Sequence, residues 1–532
     1  MTTSVPNLYA CISQYLRPPA EIDPHVAAHI TWLGEQDAAG RLVASGRQLP
    51  PSGGAIILAG ESREAVQALL ATDPFAVHGC ASYWIFEFEL NPDPIRGRLM
   101  DYFLSEAFGA SAPRCRKEET PMALNPVPAA RSLPPDDVLA PAAIADPHRF
   151  FRRLREHDPV FYSQRHQVWI LTGHEVVDRA FKDKQLSSAR AMASFRHKLA
   201  ERHAGLMQHA LSLLDGWMLL NDPPDHTRLR DPVRRSFTPA FAASLIPRIE
   251  ARVDALLDSL QEGADLVTAF AQPLTALVIC DLLGVADSER EFLRQWTRDY
   301  GQLIYGASSH QAGYAESVGR AGDEFYARFS QVIAEKRVNP GPDLISHLLA
   351  TSSREDWTES ELLGTCSMLL FAGHDTTSAL IASSTRALLL DEAARADFRN
   401  QPTLTESAVE EFLRFDGPSK TFVRTANETH ERGGHVVEAG QTLWLSVLGA
   451  NQDPAVFDAP EELRLARDPN PHLGFGAGVH FCVGASLARA EARTALPRLF
   501  ERFPRLRPAS LDFAWSPTLV DRSLLRLPVV WR

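Results

Sequence analysis

The 532-residue sequence predicts a chain of two parts: a small α+β module of ferredoxin-like order and, beyond a connector, a much larger part that opens on helices and short strands. Three observations carry this expectation. The first ninety-odd residues give strand and helix signals in the order βαββαβ, that of a ferredoxin-like fold. Ala112 to Ala145 is crowded with prolines (Pro113, Pro121, Pro126, Pro128, Pro134, Pro135, Pro141), a composition that cannot hold a regular helix and reads as a semi-rigid connector. The length also exceeds what one ordinary core takes in.

Leu8 to Tyr15 reads as a strand, and Pro24 to Ala39 carries Val26, Ile30 and Leu33 at helical spacing, with Gly40 as its stop. Leu42 to Gln48 and Ala55 to Ala59 read as two further strands joined by the turn Pro50-Pro51-Ser52-Gly53-Gly54. Ser62 is placed to cap a helix over Arg63 to Ala71, and Ala81 to Leu90 alternates toward its end like a strand. From Asp146 the pattern is helical (Pro147 to Glu156), extended (Val160 to Tyr162, Val168 to Leu171), then helical again from His174. The expected division is 1–95 for the module, 96–139 for the linker and 140–532 for the large domain.

Hydrophobic content of 45% with 23% charged residues is that of a soluble globular protein. A net charge of −12 and a pI of about 5.9 give nucleic acid no footing as a partner. Met1 to Tyr15 lacks a basic stretch followed by an apolar run, and no segment reads as a membrane span, so the expected location is cytoplasmic. Six cysteines are scattered without paired spacing, against a disulfide framework or a zinc site.

One of them stands apart. In His472-Leu-Gly-Phe475-Gly476-Ala-Gly478-Val-His480-Phe-Cys482-Val-Gly484, the glycines permit a tight turn and the close approach of a flat partner, and a helix begins directly behind the cysteine. Phe475 and His480 flank the sulfur with an apolar and a cationic-capable group. The run resembles the haem-binding loop of the cytochrome P-450 superfamily, Phe-Gly-x-Gly-x-His-x-Cys-x-Gly, at every fixed position. The resemblance implies a mainly α fold, a large helical domain with small β-sheets, with haem b (iron protoporphyrin IX) held by Cys482 as the ligand of the metal.

Three further motifs resemble the family's, in its order, over about residues 140 to 532. Asn221-Asp222-Pro223-Pro224-Asp225-His226-Thr227-Arg228-Leu229-Arg230 is similar to the start of its C helix, which implies that His226 and Arg230 bind haem propionates, where buried carboxylates need cations. Pro232 is expected to kink or shorten that helix. Phe371-Ala372-Gly373-His374-Asp375-Thr376-Thr377-Ser378 lies in a long helical stretch between Glu361 and Leu390. Ala372 and Gly373 leave room for a ligand against the backbone, and Thr376 is placed to bond an upstream carbonyl and open a local bulge. The run is similar to the family's oxygen-activation motif, which implies that Asp375 and Thr376 deliver protons to the oxygen being activated; His374 occupies the variable position and receives no role. Glu411 and Arg414 look like the family's Glu-x-x-Arg, a buried ion pair. Its usual third cation would fall at Glu462, leaving Arg464 or Arg467 as substitutes. Arg424, in Phe422 to Ala426, resembles the strand arginine that contacts a propionate, and Ser419 to Phe422 and Ser516 to Asp521 fall where the family lines its substrate pocket.

His29, Gly40-x-Leu42, Ala44-x-Gly46 and Asp73-Pro74-Phe75 resemble the YCII-related domain over about residues 5 to 92, which implies a dimer-forming α+β module with His29 and Asp73 in a pocket. Such a pair can do general acid/base work, since a carboxylate orients a histidine that titrates near neutrality; a pocket for binding or dimerisation would keep the same residues. The expected activity is monooxygenation of a small organic substrate. Electrons would come from a separate ferredoxin and ferredoxin reductase, since too little chain follows Cys482 for a flavin or iron–sulfur domain. Peroxygenase or oxidative coupling chemistry at the haem, and a module that is an isomerase, a lyase or a homodimerisation element, stand as alternatives.

Overall fold

The computed structural model describes residues 7–15, 19–39, 41–47, 53–60, 62–88, 134, 136–191, 193, 205–305, 313–351 and 357–532. Gly40, the turn residues 50–52, the end of the expected strand at 89–90 and most of the proline-rich connector lie outside them. The chain divides into two compact units, residues 1–129 and 130–532.

In the first unit β1 (Asn7–Tyr15), α1 (Pro19–Ala38), β2 (Leu42–Arg47), β3 (Gly53–Gly60), α2 (Arg63–Leu70), α3 (Pro74–Val77) and β4 (Ala81–Phe88) follow one another. They form one antiparallel sheet in the order β2-β3-β1-β4. Tyr9, Cys11, Ile56 and Leu58 of the sheet meet Trp32, Val66 and Leu70 of the helices in one core. Helix α1 begins five residues before the expected start and carries Pro24 inside it. A proline that early removes one hydrogen bond, and Ile22, buried with Phe75, Cys80 and Ala81, anchors the added turn. Ser62 caps α2 as expected, accepting from Ala65 N at 3.2 Å.

The second unit reaches back past the expected boundary at residue 140. Val138 is buried with Phe151, Leu154 and Ile170, and Asp136 accepts from Ser163 Oγ (2.7 Å) and Arg165 N (3.1 Å). The tail of the connector also forms a helical turn, α4 (Pro141–Ala145), because a proline at the first helical position gives up an N–H that has no partner there anyway. Next come α5 (Pro147–His157), β5 (Val160–Ser163), β6 (Val168–Leu171), α6 (His174–Lys182), β7 (Leu186–Ser187), α7 (Asp225–Ser236), α8 (Gln272–Leu283), α9 (Tyr314–Val338), α10 (Glu359–Leu390) and α11 (Thr405–Asp416) among other helices. They are followed by β8 (Thr421–Ala426), the hairpin of β9 (His430–Arg432) and β10 (His435–Val437), β11 (Thr442–Ser446) and α12 (Ala485–Arg502). A five-stranded sheet has the order β5-β6-β11-β8-β7, with β11 parallel to β6. This is a mainly helical domain with small sheets.

Helix α7 is not cut short at Pro232 but runs on to Ser236. The carbonyl that proline leaves without a helical donor is that of Arg228, four residues back, and the Trp357 indole N–H lies 3.5 Å from it. Helix α10 is the spine of the unit, packed on α8, α11 and α12. A capping box starts it: Thr358 Oγ1 accepts from Glu361 N (3.1 Å) and Glu361 Oε2 accepts from Thr358 N (2.8 Å). At Gly364 the spine touches backbone, since a Cβ there would lie 2.2 Å from the Leu213 carbonyl oxygen and 2.8 Å from Gly216 Cα. Among the described residues no helix is long and apolar enough to cross a membrane.

The Gly364 contact gives a signed prediction. Gly→Ala inside a helix ordinarily stabilises by about 1 kcal/mol. Gly364→Ala is expected instead to destabilise by about 1–3 kcal/mol, the range for overpacking, read as a lower urea midpoint at unchanged slope.

Candidate functional site

The cysteine loop is built by backbone geometry. Gly476 and Gly478 adopt left-handed φ of +66° and +69°, and a Cβ on Gly478 would lie 2.6 Å from the Phe181 carbonyl oxygen. The loop closes where Cys482 N donates to the Phe475 carbonyl at 3.0 Å. Phe475 is half-buried beneath the Arg489 guanidinium, 4.5 Å from its ring centre. Helix α12 starts three residues past Cys482. Burial raises the Cys482 thiol above its ordinary value against the opposing pull of the Gly484 N–H, Arg230 and Arg489. A thiol so placed becomes a stable thiolate on a metal ion, which removes the proton outright.

Around the loop the structure gathers cations from three distant segments. His226 of α7 is buried with neither ring nitrogen hydrogen-bonded, and its pKa is lowered by burial and by Arg230. Arg424 of β8 is buried, with Nη1 on the neighbouring Val423 carbonyl (2.9 Å) and Nη2 without a partner. Burial pushes its guanidinium down to about 10. The His480 ring stands 4.4 Å from that of His226, and its Nε2 lies 3.3 Å from Ser188 Oγ. Burial, then Arg424, His226 and Arg230, pushes His480 to about 3. Arg230 donates to the Phe481 carbonyl. Among the described residues neither Arg230 nor Arg424 has a carboxylate within ion-pair distance. A buried guanidinium with a free nitrogen and a buried imidazole with two bare ones call for an anionic group between them, and a flat ligand with a metal for the sulfur and two carboxylates for the cations satisfies them. The residues present fit iron protoporphyrin IX.

Helix α10 supplies the other wall. Leu362 to Leu370 and Thr377 to Thr385 are buried, yet Ala372 and Thr376 between them are exposed on one face. Thr376 Oγ1 donates to the Ala372 carbonyl at 2.7 Å, the expected upstream bond, but α10 runs on without a bulge. Gly373 corrects a second expectation. A Cβ there would meet Ile279 Cδ1 of α8 at 2.7 Å, so its missing side chain admits a neighbouring helix and Ala372 alone leaves room on the exposed face. Asp375 is partly exposed, 3.9 Å from His374 Nε2. His374, left without a role by the sequence, is 2% exposed, and its Nδ1 lies 2.8 Å from Thr275 Oγ1. Its partner is 99 residues away, and no sequence signal joins the two.

Behind the loop, Glu411 and Arg414 are fully buried and paired in a fork, at 2.8 Å (Nε to Oε2) and 2.7 Å (Nη2 to Oε1). The third cation is Arg467, with Nε 3.0 Å from Glu411 Oε2. Arg464 contributes its backbone N–H (2.9 Å) while its side chain goes to Asp458 and Glu462. Glu410 next door takes Arg489 (2.8 and 2.7 Å) and His472 (3.1 Å). Burial would raise its carboxyl, but those bonds prevail and hold it at about 2. Segments 419–422 and 516–521 meet: Ser419 bridges Asp521, and Lys420 N donates to the Val520 carbonyl at 3.0 Å.

In the first unit His29 Nδ1 lies 2.8 Å from Asp73 Oδ1. Asp73 caps α3, accepting from Phe75 N at 3.0 Å, and its other oxygen accepts from the Tyr83 hydroxyl, a partner the sequence did not suggest. His29 stacks on Phe75 with ring centres 4.1 Å apart. The carboxylate is fully buried, while His29 keeps some exposure.

A family model described as Cytochrome P450 matches residues 386–510, and one described as YCII-related domain matches residues 8–89. The chain is similar to nocardicin C N-oxygenase of Nocardia uniformis subsp. tsuyamanensis, 36% identical over 75% of this chain and 98% of that protein. It is 36% identical to the cytochrome P450 monooxygenase PikC of Streptomyces venezuelae, over 73% of this chain and 92% of the relative. The biotin biosynthesis cytochrome P450 of Bacillus subtilis is 32% identical over 73% and 97%. Among solved structures, P450BioI in complex with an acyl carrier protein ligated to hexadec-9Z-enoic acid superposes with a TM-score of 0.68 at 31% identity, covering 74% of this chain and 99% of that one. CxnD, described as an enzyme for C–S bond formation in chuangxinmycin biosynthesis, gives 0.64 at 31% identity, covering 73% and 96%.

Two outcomes follow from the ionic cluster. Glu411→Ala leaves two buried guanidinium groups without their counter-ion and is expected to cost about 3–5 kcal/mol in urea unfolding, with Arg467→Met costing less. Glu410 is depressed from 4.5 to about 2, so its contribution is full above pH 4.5 and lost as pH falls toward 2. Glu410→Gln should flatten the pH dependence of stability across that window.

Proposed function

Since the chain belongs to the cytochrome P450 family and is a haem b monooxygenase, we propose that it draws electrons from a separate ferredoxin and ferredoxin reductase to hydroxylate or epoxidise a small organic substrate in a biosynthetic pathway. The names of the relatives support the biosynthetic setting: nocardicin C, biotin and chuangxinmycin each stand in one of them. The observation that carries the site assignment is the convergence of His226, Arg230, Arg424 and His480 beside Cys482, with both nitrogens of His226 and Nη2 of Arg424 left without a partner.

When bound, the haem supplies reductive activation of dioxygen and transfer of one oxygen atom to the substrate. The chain's own residues bind, orient and move protons. Cys482 Sγ, presented by the Phe475 turn, is the protein's ligand for the iron. Arg230, Arg424, His226 and His480 hold the two propionates. Ala372 keeps the exposed face of α10 low enough for dioxygen to sit against it. Thr376 Oγ1 rests on the Ala372 carbonyl; releasing that bond turns its proton outward, and the adjacent Asp375 carboxyl resupplies it. Segments 419–422 and 516–521, bridged at Ser419 and Asp521, line the substrate side.

For the first unit the reading is a separate acid/base pocket. Tyr83 and His29 grip opposite oxygens of buried Asp73, which fixes the imidazole with Nε2 turned away from the carboxylate, the posture of a general base. Self-association of the chain through this unit belongs to the same reading.

Cys482→Ser is expected to abolish the red-shifted absorbance of the ferrous carbon monoxide complex; its retention would sink the ligand assignment. Arg424→Gln should keep that band but lose haem roughly ten- to hundredfold more readily, as loss of a charge-assisted bond of about 1.5–3 kcal/mol implies, measured as transfer to an apo-globin acceptor. For the first unit, full-length protein in deuterated water should exchange a carbon-bound hydrogen of a pathway intermediate, and His29→Ala should stop it. Unchanged exchange in the variant would remove His29 from the account.

A further inference from the structure

His374 sits inside the oxygen-side turn, on the face of α10 opposite Ala372, and reaches across to α8. Its Nδ1 lies 2.8 Å from Thr275 Oγ1. Thr275 is fully buried, and its hydroxyl also lies 3.2 Å from the carbonyl oxygens of Ala271 and Gln272. A hydroxyl owns one hydrogen, and both carbonyls only accept. Two carbonyls compete for that hydrogen, and with it on either of them the proton between Thr275 and His374 belongs to Nδ1. A neutral imidazole protonated at Nδ1 carries its lone pair on Nε2, the atom 3.9 Å from Asp375 Oδ1. The ring is kept neutral by burial, with Arg294 adding to the effect, at a pKa of about 4. Ile279, one turn along α8 from Thr275, fills the space of the missing Gly373 side chain and holds the two helices at this spacing.

We propose that His374, clamped by Thr275, is a positioning residue for proton delivery: it fixes the rotation of the turn and keeps its Nε2 lone pair facing Asp375 Oδ1 at 3.9 Å, so that the Asp375 carboxyl is held in place to feed the proton that Thr376 passes on. This rests on the reading of Asp375 and Thr376 as the delivering pair. The balance is simple. Two electrons from the ferredoxin and two protons turn dioxygen into hydrogen peroxide, whereas four of each turn it into two waters, so a turn that presents its later protons badly releases more peroxide.

The test uses the full-length, haem-loaded protein. In the ferrous carbon monoxide form, imidazole nitrogen-15 shifts should show His374 protonated at Nδ1; protonation at Nε2 instead would overturn the proposal. With a surrogate ferredoxin and reductase and no organic substrate, Thr275→Val and His374→Phe should raise the peroxide released per dioxygen consumed by at least about threefold, modest for a displaced catalytic group, and keep the red-shifted carbon monoxide band. Thr275→Ser, which retains the hydroxyl, should restore the wild-type ratio. A wild-type ratio in Thr275→Val, or no rescue by serine, overturns the proposal. Thr376→Ala separates the two levels: if it also leaves the ratio unchanged, the delivering pair itself is wrong; if it alone raises the ratio, only the role of His374 falls. Should His374→Phe lose the carbon monoxide band, the near-isosteric Thr275→Val decides.

Discussion

The Glu411 carboxylate is the point on which the larger unit turns. It is fully buried and takes Arg414 from its own helix, Arg467 from the segment leading to the cysteine loop, the Arg464 backbone N–H, and Asn470 at 3.2 Å. A buried ion pair of this kind is weak evidence for net stability, because desolvation offsets most of the attraction. Its effect is on register. An approach to the cysteine loop that is irregular from Asp453 to Pro471 is held to α11 by several directional bonds on one carboxylate, with Arg414 also reaching the carbonyls of Asn451, Pro460 and Glu462. Where Cys482 sits is therefore set from α11, not from the loop's own weak preferences.

Much of this was legible in the sequence, and the residues show why. The cysteine loop, the oxygen-side turn and the Glu-x-x-Arg pair are local patterns in which spacing alone places the side chains on one turn or one face. Ser62 and Thr358 are local too, since a cap bonds an N–H three residues on. The third cation was left between Arg464 and Arg467 because irregular backbone carries no period from which direction can be read. At Pro232 the sequence predicts a kinked or shortened helix because the Trp357 indole that meets the freed carbonyl is far away in the chain. His374 and Tyr83 were missed for the same reason: a histidine or tyrosine acquires a role when a distant partner arrives, and Thr275 and Asp73 give no sign of their arrival. Gly373 was read as space for a ligand, and the space is taken by Ile279.

The two walls of the site obey different physics. Around Cys482 the groups are strained by burial: a thiol pushed up, an arginine pushed down to about 10, an imidazole with two bare nitrogens. Such groups are matched to an occupant, and their cost in the protein alone is the measure of what a dianionic ligand gives back. On α10 the polar groups are nearly all satisfied within the protein, Thr376 by Ala372, His374 by Thr275, Ser378 by the Asp375 carbonyl at 3.0 Å. One wall is short of partners; the other has met its needs within the protein.

The backbone contact between Gly364 and Gly216 sets a limit on how such an enzyme diversifies. A helix pressed backbone to backbone at one point, and tied to α8 ten residues further on, cannot bow to suit the molecule beside it. Fit to a new substrate has to come from elements other than this helix. Descent from a common ancestor can then rewrite what is oxidised while the handling of oxygen passes on unaltered, so that inheritance of the reaction and inheritance of its target travel on separate stretches of chain.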